Sequence, residues 1–483
     1  MLLQGILYCS LFLTCVAACR FVRSPRARQL ILLLASCALY LTWNLWFAAV
    51  LLTSIVLNFL MGRWLRRKPS GAILSIGIVL NLSILCFFKY LPEAAITLPS
   101  SLQRFSHLAL PLGLSFWTFQ AMSYLFDLYR EEELDPSFIE FALYMSFFPV
   151  TISGPICRLP EMLPQFRSRE LSPTRNIVEG LRRIALGVLM VLIARLLAQG
   201  ILGGDGIDSG FDHLSRWSGP DVWCLAFGYG LQLFFDFAGY SHIAIGAAGA
   251  MGFIIPENFA RPFQSCSPSI FWTRWHMSLS FWIRDYVFLP LATLRREVWW
   301  RNLALVIAML LFGVWHRATW LFVLWGAYHG VLLVLHRLEQ QVLRTLKRDP
   351  SPMLWNPLAW VVTMTLINLG WILFRGNSLS EARQMWTALL APATYSSHSL
   401  SGSLYFLIAA VAGLYAASVA ATHFLNEFAT ASVDGVPARG IIALLSRSRW
   451  YWIPPLYALA LIFLFVVTFT RGASTAQFMY NKF

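Results

Sequence analysis

Apolar runs long enough to cross a lipid bilayer recur along this chain, and no other feature constrains its fold as strongly. A hydrocarbon core of about 30 Å needs about 20 consecutive apolar residues in a helix. Candidate runs cover residues 2–19, 29–61, 71–90, 108–127, 138–153, 180–202, 221–254, 269–294, 302–338, 357–374, 403–424 and 450–470. Several exceed a single crossing: 29–61 predicts two helices turning near "TWNLW", and 302–338 predicts two that meet around a histidine. The expectation is an all-α polytopic membrane protein with roughly 11 to 13 membrane segments, some short or re-entrant.

Composition agrees: 58% of residues are hydrophobic and 12% charged, against about 25% charged in soluble domains. The N-terminal run reads as a first transmembrane helix, because "MLLQG" carries no charge and Arg20, Arg23, Arg26 and Arg28 follow the apolar core, the reverse of a signal peptide. The formal charge of +14 lies in short loops, as the positive-inside rule expects, and so speaks for orientation and against nucleic acid. "RFVRSPRAR", "GRWLRRK", "RSRELSPTR", "LRREVWWR" and "HRLEQQVLRTLKR" read as cytoplasmic, while "REEELD" and "GGDGIDSGFDH" read as extracytoplasmic. Residues 159–175 and 426–440 lack apolar density and read as loops. The eight cysteines show no metal-ligand spacing and read as small hydrophobes. Walker, G-x-G-x-x-G, H-E-x-x-H and G-x-S-x-G motifs are missing, which disfavours an ATP-driven pump or a zinc protease.

Charged residues inside apolar segments cost roughly 2.5–3.5 kcal/mol each at mid-helix and mark candidate sites. They concentrate between residues 231 and 330. "LQLFFDFAGYSHIAIGAAGAMG" holds Asp236, Tyr240, Ser241 and His242; "FWTRWHMSLSFWIRDYVFLPL" holds Arg274, His276, Arg284 and Asp285; "VWHRATWLFVLWGAYHG" holds His316, Arg317 and His329. Asp236 can serve a substrate or satisfy a neighbouring helix. Gly246, Gly249 and Gly252 suit close helix packing. Arg274, Arg284 and Asp285 can form an interfacial ion pair with snorkelling stems. His329 and His336 read as surface histidines. His276 and His316 each follow a tryptophan, and neutral imidazole tolerates burial while titrating near neutrality. Position alone leaves acid–base chemistry and simple burial both open for them, with no conventional nucleophile alongside.

These segments carry a resemblance. "PLGLSFWTFQAMSYLFDLYR", "FFPVTISGPICR", "FFDFAGYS", "PENFARPF", "FWTRWHMSLSFWIRDYVFLPL", "GVWHRATWLFVLWGAYHG" and the closing "FMYNKF" are similar, in order, to the membrane-bound O-acyltransferase (MBOAT) family. They resemble its bacterial alginate O-acetylation and teichoic acid D-alanylation branch. The resemblance implies one transmembrane domain over 1–483, with a motif core at about 111–338 and C-terminal helices over 357–483, arranged around a central funnel. It also implies that the donor enters from the cytoplasm and the acceptor from the other face. His316 matches the family's catalytic histidine and would act as general base; His276 matches the second histidine and would orient the thioester or its oxyanion. Trp315 and Trp320 would exclude water and hold the ring. Arg295, Arg296 and Arg301 would meet coenzyme A phosphates or simply set topology. Asp236, Tyr240, Arg274, Arg284, Asp285 and Arg317 complete the candidate substrate-binding set.

Three departures narrow the carry-over. Relatives usually have glycine where this chain has Arg317, a fixed charge that binds carboxylate or phosphate. "GYSH" carries His242 where alginate-type relatives tend to have an acidic residue, and "FLPLATLRR" lacks their "PLGGNR" turn. The expected activity is transfer of an acyl group, acetyl first, from acetyl coenzyme A toward an extracytoplasmic polysaccharide at the bacterial inner membrane. No permanently bound cofactor is expected. The implied partners are a periplasmic or membrane-anchored hydrolase-like acyltransferase and the polysaccharide synthesis machinery. D-alanyl transfer from a carrier protein, and a transporter without chemistry, are the alternatives.

Overall fold

Local capping decides where the apolar runs break into helices. The computed structural model of the protein describes residues 2–95, 103–130, 133–169, 175–201, 205–214, 216–346 and 352–431. Helix α1 (Leu2–Phe21) follows the first run, and α2 (Pro25–Trp43) starts at an N-cap, Ser24, with proline in its first turn. Asn44 then divides the run 29–61. Its backbone N–H bonds the Tyr40 carbonyl, while its side-chain oxygen accepts from Trp46 N at 2.8 Å to open α3 (Leu45–Arg67). One short polar side chain thus ends one helix and starts the next, as expected near "TWNLW".

Helix α4 (Gly71–Lys89) pairs with α3 through two asparagines that lie wholly out of contact with solvent. Asn58 Nδ2 donates to Asn81 Oδ1 at 3.1 Å and Asn81 Nδ2 returns the bond at 2.7 Å. In a membrane such interhelical bonds are worth about 0.6–2 kcal/mol. After the short α5 (Leu91–Ala95), α6 (Leu114–Tyr129) packs on both α3 and α4. Its start is set by Gly113, at φ 70°, where a Cβ would run into the Thr151 carbonyl oxygen. The run 108–127 therefore becomes a helix only from residue 114.

The run 138–153 is broken at Phe147 into α7 (Phe138–Ser146) and α8 (Phe148–Thr151). The expected loop at 159–175 is instead helical at its start, as α9 (Leu159–Arg167). Leu159, Met162, Leu163 and Phe166 bury one face at i, i+3, i+4 and i+7, so the signal was amphipathic spacing rather than apolar density. Helix α10 (Arg175–Gln199) crosses α12 (Gly219–Ala250) closely: a Cβ on Gly246 would lie 2.6 Å from the Gly180 carbonyl oxygen. Gly249 has open space instead, and Gly252 makes a turn at φ 92°. Between α10 and α12 lies α11 (Ile207–His213).

The run 269–294 is a string of short pieces, α13 (Pro268–Trp272), α14 (Met277–Ile283), a π-helical stretch (Arg284–Phe288) and α15 (Leu289–Thr293). Long helices resume with α16 (Val298–His316) and α17 (Trp320–Thr345), which meet at the histidine as expected, then α18 (Pro352–Arg375), α19 (Leu379–Leu390) and α20 (Gly402–Ala431). Residues 426–431 continue α20, contrary to the expected loop. The run 450–470 and "FMYNKF" lie outside the described residues.

Seven stretches among the described residues are long and apolar enough to cross a membrane: α3, α4, α12, α16, α17, 355–375 in α18 and 402–421 in α20. The described chain holds no strand. It is an all-α, multi-pass membrane protein. Its described residues fall into two compact units, one drawn from 1–184, 241–319 and 326–363, the other from 185–240, 320–325 and the described part of 364–483. In the second, buried Asp221 accepts from Ser399 N (2.8 Å), Leu400 N (3.1 Å) and Tyr405 Oη (2.8 Å), so one carboxylate ties the start of α12 to the start of α20.

One expectation about the loops is overturned. Within the first unit, Asp135 pairs with Arg66, Arg167 pairs with Glu140 at 2.8 Å, and Arg130 donates to the Asp285 carbonyl at 2.8 Å. "REEELD" therefore lies with the basic loops rather than at the opposite end. Its Asp135 serves as the counter-ion to Arg66.

Candidate active site

His276 sits in a backbone conformation that few residues adopt. Its φ of 44° and ψ of 52° place it in the left-handed region at the start of α14, and such conformations, costing about 1–3 kcal/mol, cluster at functional sites. Asn258, from "PENFARPF", holds it there. The Asn258 carbonyl accepts from Met277 N at 2.9 Å, and its Oδ1 accepts from Ser278 N (3.3 Å), Ser278 Oγ (2.9 Å) and His276 Nδ1 (3.0 Å). The Ser278 N–H can only donate, which fixes the amide orientation, and Asn258 Nδ2 donates to Ser241 Oγ at 3.0 Å. Oδ1 can only accept, so His276 carries its proton on Nδ1 and presents Nε2 as an acceptor.

His316 ends α16. Beyond it Arg317 is extended, so the helix stops and the imidazole stays at its terminus. The ring is buried against Phe312 (centroids 5.1 Å apart) and Trp315 (4.6 Å). Trp315 also packs on Phe119 at 5.2 Å, Phe119 on Trp282 at 4.4 Å, and Phe312 on Trp272 at 5.3 Å. This aromatic shell keeps water from the histidine. Both Lys89 and His276 are close enough to act on His316 electrostatically.

His329, expected at the surface, is fully buried, edge-on to Trp272 at 5.2 Å. It faces the core from α17 because Gly326 and Gly330 let that helix approach α16 closely. Trp320, by contrast, is 72% exposed and belongs to the second unit, so the shielding expected of it falls to Phe312, Phe119 and Trp272.

Asp285 joins two arginines, Arg284 at 2.7 Å and Arg158 at 2.7 Å; Arg274 is in no ion pair among the described residues. Arg158 and Arg130 both lie over the Tyr286 ring, at 5.1 and 5.2 Å, and Tyr286 Oη donates to Asp127 at 2.7 Å. Burial opposes the Arg158 charge, but its hydrogen bond to Asp285 together with the nearby Tyr286, Asp285 and Asp127 charges outweighs burial and raises its pKa above the ordinary guanidinium value. Asp127, Arg130, Arg158, Asp285 and Tyr286 line a cavity of about 360 Å³ with Pro160, Glu161 and Leu289. Arg295, Arg296 and Arg301 are exposed a few residues further on.

Asp236 and Tyr240 lie one turn apart on α12 in the second unit, Asp236 buried and Tyr240 hydrogen-bonded to Arg195. His242 accepts from Arg183 Nε at 3.0 Å. No group of three or more His, Cys, Asp or Glu side chains suited to a metal occurs among the described residues.

Sequence reasoning missed Asn258, Arg158, Lys89 and Glu93. A buried asparagine inside a quoted motif was the available signal for the first. The other three acquire meaning only from residues more than a hundred positions away.

The model of the membrane-bound O-acyltransferase family matches residues 70–374, which include both histidines and the aromatic shell. A probable alginate O-acetylase of Azotobacter vinelandii is 31% identical over 454 residues, covering 90% of this chain and 87% of that protein. A second, of Pseudomonas aeruginosa, is 33% identical and covers 83% of this chain and 77% of its own. A peptidoglycan O-acetyltransferase of Helicobacter pylori is 32% identical over 75% of this chain and 73% of its own. The chain belongs to the membrane-bound O-acyltransferase family and is an O-acyltransferase.

Proposed function

We propose that the protein transfers an acetyl group from acetyl coenzyme A, presented at the cytoplasmic face of the bacterial inner membrane, toward a cell-envelope polysaccharide outside it. The observation that carries this reading is the pairing of two buried histidines, His316 in a dry aromatic shell and His276 held in one tautomer by Asn258. The alginate and peptidoglycan acetylases among the relatives favour acetyl as the group and a glycan as its destination.

His316 acts as general base. The acceptor hydroxyl oxygen attacks the thioester carbonyl carbon as the imidazole takes its proton. The tetrahedral intermediate collapses, the C–S bond breaks, and the proton passes from His316 to the departing thiolate, leaving an ester and free thiol. Such base catalysis typically supplies about 10²–10⁴-fold. His276 positions the thioester. The cavity lined by Arg130, Arg158 and Tyr286 lies at the basic-loop end and suits the phosphate-bearing part of the donor. A periplasmic or membrane-anchored acyltransferase takes the acetyl group onward when delivery to the polymer is indirect.

The test is consumption of radiolabelled acetyl coenzyme A by purified protein in lipid nanodiscs. His316→Ala should lower it at least about 100-fold. Undiminished turnover in that variant refutes the base assignment. If turnover requires an acyl carrier protein instead of coenzyme A, D-alanyl-type transfer replaces this reading.

A further inference from the structure

Helices α4 and α16 each begin just after a basic loop, and their far ends are fastened together: Tyr90 Oη donates to the carbonyls of Val314 (3.1 Å) and Trp315 (3.2 Å). Lys89, the last residue of α4, is thereby held half-buried with Nζ 4.7 Å from the centre of the Trp315 ring. The same indole packs on the His316 imidazole at 4.6 Å, and the ammonium acts on that imidazole electrostatically. One turn on from Lys89, Glu93 accepts from Arg317 Nε at 2.9 Å. The nearby carboxylate is thus committed to the guanidinium, and Lys89 Nζ makes neither a hydrogen bond nor an ion pair among the described residues. An ammonium in an apolar segment is costly and marks function, and an indole face offsets only part of that cost.

Acyl transfer from a thioester needs a positive group at one place that neither histidine supplies. When the hydroxyl oxygen adds to the carbonyl carbon, the carbonyl electron pair moves onto its oxygen, and a preorganised donor must meet that charge. His316 is occupied by the hydroxyl proton destined for the sulfur. His276 has its Nδ1–H on Asn258 Oδ1 at 3.0 Å and so turns a lone pair outward at Nε2, which cannot donate to an oxyanion. Lys89 has three N–H donors to offer.

We propose that Lys89 is a further catalytic residue, whose ammonium stabilises the oxyanion of the tetrahedral intermediate beside His316. The proposal rests on the reading of His316 as the acyl-transfer base. Lys89 keeps its proton throughout. The new C–O bond forms as His316 takes the hydroxyl proton, and the negative oxygen is held against the ammonium. On collapse the C=O bond reforms, the C–S bond breaks, and His316 returns its proton to the sulfur. The ammonium meets a full charge only in the intermediate, so its effect falls on the chemical step rather than on donor binding.

The test pairs kinetics with equilibrium binding on the full-length protein in nanodiscs. Lys89→Met keeps an unbranched chain against Trp315 and removes the charge. It should lower kcat for acetyl coenzyme A consumption about 100-fold or more and leave KM near the wild-type value. Lys89→Arg, which keeps a charge at a shifted point, should lose less. Two unreactive analogues are then titrated: the methylphosphonothioate S-ester of coenzyme A, tetrahedral and anionic, and S-acetonyl coenzyme A, a planar neutral ketone. Wild type should bind the phosphonate at least about tenfold more tightly than the ketone, and Lys89→Met should bring the ratio of the two Kd values close to one. Where Lys89→Met gives no monodisperse protein, Lys89→Gln carries the same comparison. Wild-type kcat in the neutral variant, no phosphonate preference in wild type, or a preference that survives loss of the charge overturns the proposal. So does a raised KM with both analogues weakened equally, which would assign Lys89 to packing alone. His316→Ala is measured alongside. Undiminished turnover there refutes the base assignment, while the phosphonate preference and its dependence on Lys89 still report the oxyanion contact.

Discussion

Replacing Asn258 by alanine tests the tautomer assignment of His276. In the native protein one amide oxygen serves His276 Nδ1, Ser278 N and Ser278 Oγ, and the amide nitrogen serves Ser241 Oγ. The two hydroxyls can rotate to other partners. The His276 Nδ1–H and the Ser278 N–H cannot, because Ser278 lies in the first turn of α14, where amides have no intrahelical acceptor. Each orphaned buried donor costs about 1–3 kcal/mol, so the variant should lose about 2–6 kcal/mol, nearer the lower figure where water enters the space. It should also release His276 from its strained backbone and free the ring to take the other tautomer. Thermal unfolding in nanodiscs should show a Tm lower by several degrees, and acetyl transfer should fall about tenfold or more at a temperature where the variant is folded. Asn258→Asp retains the acceptor and should recover most of the stability. An Asn258→Ala protein with wild-type Tm and wild-type kcat/KM would falsify the idea that this amide sets the His276 proton.

Three further outcomes follow from the packing. Asn58→Leu alone leaves the Asn81 amide without its partner and should cost about 0.6–2 kcal/mol, whereas the Asn58→Leu, Asn81→Leu double variant should recover part of it, as read from unfolding in a double-mutant cycle. Gly113→Ala puts a Cβ at positive φ against the Thr151 carbonyl, so little monodisperse protein should survive size-exclusion chromatography; normal yield would show that α6 can start elsewhere. Arg158→Ala removes the half-buried partner of Asp285 and should raise the KM for acetyl coenzyme A more than Arg284→Ala does, since Arg284 is the more exposed of the two. Equal effects would argue against the Arg158 cavity as a donor site.

The helix breaks at Asn44 and after His316 were readable because capping and chain extension act within a few residues. So was the choice of His276 and His316 as candidates, since a titratable group within an apolar run is conspicuous wherever the chain folds. Helix α9 was overlooked because its apolar residues recur at helical spacing with too little density to stand out. His329 was misplaced because its exposure depends on Gly326 and Gly330 drawing α17 against α16, not on the neighbouring basic loop. "REEELD" was assigned to the wrong end because its own charges were considered without Arg66 and Arg167.

By itself, then, the sequence determines an all-α membrane protein, the helix breaks at Asn44 and after His316 and two candidate histidines, all consequences of local hydropathy and local capping. Tertiary structure decides what surrounds those histidines. Tyr90 meets Trp315 across 225 residues of chain, Glu93 meets Arg317 across 224, and Asn258 reaches His276 across 18 residues and a tight turn. Such contacts form because helix ends anchored far apart in sequence are packed together, and no local pattern encodes which ends those will be.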